Sequence, residues 1–411
     1  MLYYPKGRYN EMKLKNIKKV MAGTVAGALM ISATACNPIS TKAEWSYRDG
    51  DNEKAIGVYI YALYNAYNQA KTFAEKAEGY KENESFLDLK ITDDDGKEAV
   101  ASDWIKEKAD LTVRQSLFFD KALDEKNATV DEASYEEQAT QDWELGYMYS
   151  YYSQMGYGTT PEQEILEPYG ISVDSYCELQ YITSGKQQKL FDLLYDEGGE
   201  KEVADKDLKE YFDNNYTYYT YFTVPLYEQT TDDAGQQTTN AYSSKKQKKL
   251  TNQADSYVKA INGGSSIDDQ CEKYLKATKS DAKASDTVQK GCELLDKDNL
   301  DASNIGEEVA KALVDMKNGE AKTVTVGEDD TKTLYIVQKL NTKDGEKEYL
   351  TKDDSTRKSV LQNMKKDEFS DYINKEAKAL KCEVNTSVID KYNPDMFWEE
   401  PEETSTTESA Q

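Results

Sequence analysis

Apolar positions along this chain recur mostly at intervals of three and four residues, the period of a helix face. Between Lys54 and Lys81, Tyr59, Leu63, Tyr67 and Ala70 fall at spacings of four, four and three, which predicts one long helix. Two short apolar-containing runs between Phe86 and Val100 flank Asp95-Gly96 and predict a hairpin. A second helix begins at Ser102-Asp103, with Trp104, Ile105, Ala109, Leu111, Phe118, Phe119 and Ala122 as its apolar stripe. Thr129-Val130-Asp131-Glu132 has capping-box spacing and predicts a third helix that ends near Gly156. A fourth runs from Gly170 to about Tyr195, and a fifth from Asp205 to Asn214.

The period then changes. Thr217 to Leu226 alternates Tyr, Thr, Phe and Val and predicts a strand. The polar stretch from Glu228 to Ala241 predicts a loop. Helices follow over Lys245–Asn262, Ser266–Ala277 and Gly306–Lys317, then strands over Ala321–Val326 and Thr333–Leu340. A last long helix, Ser355 to Leu380, has Val360, Leu361, Met364, Phe369, Ile373, Ala377 and Leu380 on its apolar side. No period repeats along the chain, which argues against a solenoid. The order predicts an α+β fold, a mainly helical domain with a small α/β module inserted before its final helix. The expected division is a leader over 1–35, a tether over 36–50, helices over 51–215, the module over 216–345, a returning helix over 346–393, and an acidic, disordered tail over 394–411.

Composition narrows the chemistry. The chain has 77 acidic and 51 basic side chains and no histidine. Without imidazole, Ser-His-Asp and Cys-His hydrolysis are excluded, and zinc sites lose their commonest ligand. A net charge of −26 argues against nucleic-acid binding, which needs a basic surface. Neither cofactor nor metal is expected. Asp93-Asp94-Asp95-Gly96 would need Ile91 as first ligand of a calcium loop and fails. Thr183-Ser184-Gly185-Lys186 lacks the earlier glycine of a phosphate loop. Lys245-Lys246-Gln247-Lys248-Lys249 reads as a solvated basic helix face.

The N-terminus reads as an address. Lys13, Lys15, Lys18 and Lys19 precede a 14-residue apolar run from Val20 to Ala33, too short to span a bilayer. Translation starting at Met12 would place these lysines at the beginning, and Met1 remains the alternative. The run ends in Ala33-Thr34-Ala35-Cys36, which resembles the lipobox of bacterial lipoproteins. That resemblance implies diacylglycerol on Cys36, cleavage before it, and a mature chain tethered to the outer face of the cell membrane; the alternative is an ordinary secretory signal. Cleavage removes six basic residues and one acidic residue, which takes the net charge from −26 to −31. Cys177, Cys271, Cys292 and Cys382 remain, either as buried thiols or in disulfides, with Cys271 and Cys292 the nearest pair.

Several segments together resemble extracytoplasmic foldases of the PrsA/SurA type, lipoproteins in many Gram-positive bacteria. They are Gly57-Val58-Tyr59-Ile60-Tyr61, Tyr169-Gly170-Ile171-Ser172-Val173, Val203-Ala204-Asp205 through Phe212, Met316-Lys317-Asn318-Gly319-Glu320, Leu334-Tyr335-Ile336-Val337, and the ending from Lys381 to Tyr392. The resemblance implies a helical chaperone domain that cradles unfolded or exported polypeptides, with a parvulin-like prolyl isomerase module inserted in it. It implies two histidines on adjacent strands of that module. At those positions this chain has Tyr221 and Tyr335, and Asp281 stands where a nearby Asp or Cys is expected. The usual glycine-rich loop is reduced to Gly291-Cys292-Glu293-Leu294-Leu295.

Three readings follow. The first is a lipid-anchored chaperone with weak or absent isomerase activity. The second is an active parvulin-type prolyl isomerase. The third is a surface lipoprotein that binds glycan or peptide through tyrosines. Of 32 tyrosines, Tyr59, Tyr61, Tyr64, Tyr67, Tyr147 and Tyr151 are the candidates to line a client groove, with core packing as the alternative.

Overall fold

The computed structural model describes residues 44–144, 160–231, 237–297, 299–351 and 355–398. The leader, Cys36, and residues 145–159 with Tyr147 and Tyr151 lie outside the described residues, as does the predicted helix end near Gly156.

The described chain opens with strand β1 (Trp45–Asp49), paired on one side with β2 (Asn52–Ala55) and on the other with β11 (Glu383–Val384). The expected tether over 36–50 is therefore folded from Trp45 onward. Tyr47 is buried and its hydroxyl donates to Asp110 at 2.8 Å. The pairing is non-local, since Asn385 bonds the Trp45 carbonyl from 340 residues away.

Helix α1 (Ile56–Ala74) follows β2 without a loop and packs on α2 (Ala101–Glu125). Its predicted face is buried, with Tyr59, Leu63, Tyr67 and Ala70 all inside. The hairpin β3 (Lys90–Thr92) and β4 (Glu98–Val100) lies between α1 and α2 and turns at Gly96, whose φ is 76°. Helix α3 (Glu132–Trp143) starts at Asp131, whose carboxylate caps the Ser134 N–H at 3.4 Å. After α4 (Glu162–Leu166), the predicted fourth helix forms as α5 (Val173–Cys177), a π-turn (Glu178–Ile182) and α6 (Thr183–Tyr195). A buried charge network joins these pieces. Lys54, 3% exposed on its side chain, pairs with Asp120 at 2.7 Å and with Glu178, and Lys186 reaches Asp120 at 2.7 Å and Glu132 at 3.1 Å. Removal of one member would strand a buried charge.

Helix α7 (Asp205–Asn215) runs directly into the module through β5 (Tyr216–Pro225). An antiparallel sheet of β8 (Gln289–Leu294), β5, β10 (Thr333–Lys339) and β9 (Ala321–Val326), in that order, forms its centre. Phe222, Val224, Leu334 and Ile336 face α8 (Ser244–Asn262) and α9 (Ile267–Thr278). Tyr219 and Val337 face α11 (Glu307–Asp315), which follows the short α10 (Ala284–Thr287) and β8. The polar stretch predicted as a loop instead pairs as the hairpin β6 (Tyr227–Thr231) and β7 (Gln237–Ala241).

After α12 (Thr342–Tyr349), α13 (Ser355–Ala379) returns to α2, α6 and α7, burying Val360, Leu361, Phe369, Ile373 and Ala377. The predicted α+β fold, a helical domain with an inserted sheet module, is the one observed. Past the short α14 (Thr386–Ile389), the expected disordered tail is folded at its start. Pro394–Phe397 make one 3-10 turn, and Phe397 is buried against Tyr64, Tyr67 and Tyr169 at 5.4, 5.5 and 4.9 Å.

Candidate functional site

Tyr221 and Tyr335 lie on neighbouring strands, as their place in the module implies. Tyr221 on β5 opposes Val337 on β10, and Tyr335 opposes Thr223, so the two tyrosines are diagonal neighbours on one face. Their rings stack at 5.5 Å and 28°. Both are half-buried against the apolar cluster formed by α11. Burial, then Tyr335, pushes the Tyr221 hydroxyl up, so it stays a neutral phenol. Asp281 is exposed in the loop between α9 and α10. Those helices pack on the other face of the sheet through Cys271 and Ala284, so the fold does not bring Asp281 into line with the tyrosine face.

The polar group that does belong to this face is Glu293, 9% exposed. It accepts from the Tyr219 hydroxyl at 2.7 Å, the Ser303 hydroxyl at 3.1 Å and the Asn304 N–H at 2.9 Å. Burial, reinforced by Glu293, pushes the Tyr219 hydroxyl up and keeps it a donor. Sequence reading passed over Glu293 because one acid among 77 carries no signal until the fold buries it.

The tyrosines of α1 are mostly interior. Tyr59, Tyr61 and Tyr67 are 4%, 6% and 6% exposed and pack with tilted rings on Tyr47, Tyr176 and Phe86. They hold the helical domain together rather than line a groove. Tyr64 keeps part of its surface outside, against Tyr169.

A groove does exist, built by other residues. It encloses about 320 Å³ between α2, α6 and α13. Phe119, Phe191 and Phe369 form its apolar wall, with the rings of Phe191 and Phe369 edge to face at 5.1 Å. Gln115, Gln187, Gln188 and Gln362 form its polar wall. Gln362 donates to Gln188 at 2.7 Å, and Gln115 donates to Asn374 at 2.8 Å, which fixes three of the four amides. Among the described residues, Lys366 is the one charged side chain in the lining, in a chain that is 31% charged. The available signal was the uncharged pair Gln187-Gln188, one helical turn before Phe191.

The remaining chemistry is structural. A wider cavity of about 720 Å³ beside Asp93, Asp94 and Asp95 is lined by charges of both signs, and Asp93 is engaged by the Trp104 ring N–H at 3.1 Å. No cluster among the described residues has the makeup of a metal site. The four described cysteines are free thiols. Burial pushes Cys177 and Cys271 up to about 11, Cys292 up to about 12 and Cys382 upward too, so these four described cysteines are thiols at neutral pH. Among the described residues no helix is long and apolar enough to cross a membrane.

No family model and no curated protein matches the chain. Among solved structures the chain is similar to PrsA foldases. The foldase protein PrsA from Streptococcus pneumoniae str. Canada MDR_19A is 14% identical with a TM-score of 0.33, over 74% of this chain and 97% of that one. Foldase protein PrsA from Lactococcus lactis is 12% identical with a TM-score of 0.33, over 85% and 100%. PrsA from Bacillus subtilis is 18% identical with a TM-score of 0.25, over 76% and 98%. A likeness at these values carries no residue role to this chain.

Proposed function

We propose that this protein is a lipid-anchored extracytoplasmic chaperone that holds unfolded or exported polypeptides, with an inserted module of weak or no isomerase activity. The groove between α2, α6 and α13 carries the reading. Phe119, Phe191 and Phe369 are 2–5% exposed, so only their edges give the groove a small apolar floor, worth about 25 cal/mol per Å² removed from water. The donors and acceptors that these bonds leave over can bond peptide groups of any sequence. Near-absence of charge in the lining keeps such binding indifferent to the client's side chains. A volume of about 320 Å³ suits a short stretch of extended chain, gripped weakly and released.

The test fills the groove from its rim. Ser184 and Ser370 line it and are exposed, so Ser184→Trp with Ser370→Trp leaves the core alone. The expected outcome is an unchanged circular dichroism spectrum and about tenfold weaker suppression of client aggregation, equal to ~1.4 kcal/mol of binding. Unchanged suppression sinks the reading. The anchor is tested separately. Cys36→Ser should move the protein from the membrane fraction to the soluble fraction, because acyl chains provide the attachment.

A further inference from the structure

The outer face of α8 stands apart from the rest of this acidic chain. The helix buries Leu250, Ala254, Tyr257 and Ile261 within the module. At about 100° per residue, the opposite face carries Lys245, Lys248, Lys249, Asn252, Ser256 and Lys259. All six are exposed, and the helix extends ~28 Å. Asp255, also exposed, sits at the edge of this stripe, about 20° around the axis from Lys248 and one turn before Lys259, so the face carries four positive charges and one negative. Among the described residues the four lysines have no acidic partner within ion-pair distance. The basic run seen in the sequence thus clusters at the start of this face, and Lys259 adds a fourth charge near its end.

We propose that this face of α8 docks the module onto an anionic lipid bilayer. The stripe is straight and lies on a convex helix surface, which fits a flat sheet of headgroups better than a pocketed ligand. Its charge is complementary to such a sheet, and each lysine brought near an anionic leaflet multiplies the binding constant by about five. The net charge of −26 does not prevent this, because salt screens charges beyond about 8–10 Å. In contact, the four lysines and Asp255 meet the headgroups, which leaves this face a local charge of about +3. Docking fixes the module against the membrane and sets which way the helical domain points.

The test uses the mature chain from residue 36 carrying Cys36→Ser, so that no acyl chain contributes. Its binding to vesicles of phosphatidylcholine with and without 30% phosphatidylglycerol is followed by co-sedimentation in about 50 mM salt. Binding that requires phosphatidylglycerol, is lost in about 0.5 M salt, and falls at least about tenfold in Lys245→Gln/Lys248→Gln/Lys249→Gln/Lys259→Gln supports the proposal. A control, Lys71→Gln/Lys106→Gln/Lys206→Gln/Lys358→Gln, removes the same charge from exposed sites elsewhere and should bind within about twofold of the parent. No preference for phosphatidylglycerol overturns the proposal, as do equal losses in both variants. Tighter binding to a soluble glycerol-phosphate polymer than to the vesicles also overturns it and assigns the stripe to that polymer instead.

Discussion

Tyr221 and Tyr335 set the catalytic question. Prolyl isomerisation crosses a rotational barrier of ~18–20 kcal/mol without making or breaking a covalent bond. An imaginable helper at these positions must exchange or polarise hydrogen bonds around the peptide. A neutral imidazole both donates and accepts and titrates near 6.5. A phenol titrates near 10, and burial pushes Tyr221 further up, so its hydroxyl does not change charge at physiological pH. The expected result in a proline-peptide assay is therefore the uncatalysed rate, tens to hundreds of seconds at 25 °C. Clear acceleration that disappears in Tyr221→Phe or Tyr335→Phe would show instead that the two phenols catalyse the rotation. That both tyrosines lie in strands was legible from the alternation over Thr217–Leu226 and Thr333–Leu340, while the pairing of those strands was implied by the family resemblance alone. The role of Glu293 was not legible, since it arises from burial and from donors on Tyr219, Ser303 and Asn304, 74, 10 and 11 residues away.

At the scale of elements, legibility follows locality. Helices α1, α2 and α13 declare themselves through apolar residues at helical spacing, and each buries the face its pattern picks out. Strand β8 was missed because Gln289-Lys290-Gly291-Cys292-Glu293-Leu294 does not alternate, and an edge strand needs only one neighbour to supply its pairing. Its glycine has a cross-strand cause. The ring of Tyr219 lies over Gly291, and a Cβ there would meet it at 2.3 Å. Gly57 has a similar cause in helix packing, where a Cβ would come within 2.3 Å of the Ser175 hydroxyl oxygen. Both glycines looked in the sequence like family markers, and both mark places where a neighbour needs the space of a side chain. The groove is harder to foresee, since α2, α6 and α13 each contribute only part of its wall and meet through tertiary packing alone.

At the scale of the whole molecule, the module is held to the helical domain by a packed junction. Tyr216 stacks on Phe212 at 5.2 Å and its hydroxyl accepts from Asn363 at 2.8 Å, so β5, α7 and α13 are joined at one ring. Tyr349 of α12 packs edge to face on Tyr218 at 5.6 Å, and Lys209 reaches Glu346 at 3.7 Å. Within this junction Asp213 has a buried carboxylate oxygen with no hydrogen-bond partner. Burial, then Glu346, raises its carboxyl above the ordinary range, against the opposing pull of Lys343, Thr342 and Lys209. A carboxyl raised in the folded state favours the fold in its protonated form. That contribution is fully present below the unfolded value near 3.9 and is lost as pH climbs through the raised folded value. The junction should therefore be less stable at neutral than at acidic pH on account of this residue. Asp213→Asn removes the charge and keeps the shape. It should stabilise the protein at pH 7 by about 1 kcal/mol, a modest figure because Asp213 is only half-buried. Thermal melts at pH 7 and pH 4 check this, with a gain of about 1 °C expected at pH 7 and a smaller one at pH 4. A loss of stability in the variant, or an equal gain at both pH values, would mean that the unpaired oxygen is not what strains the junction.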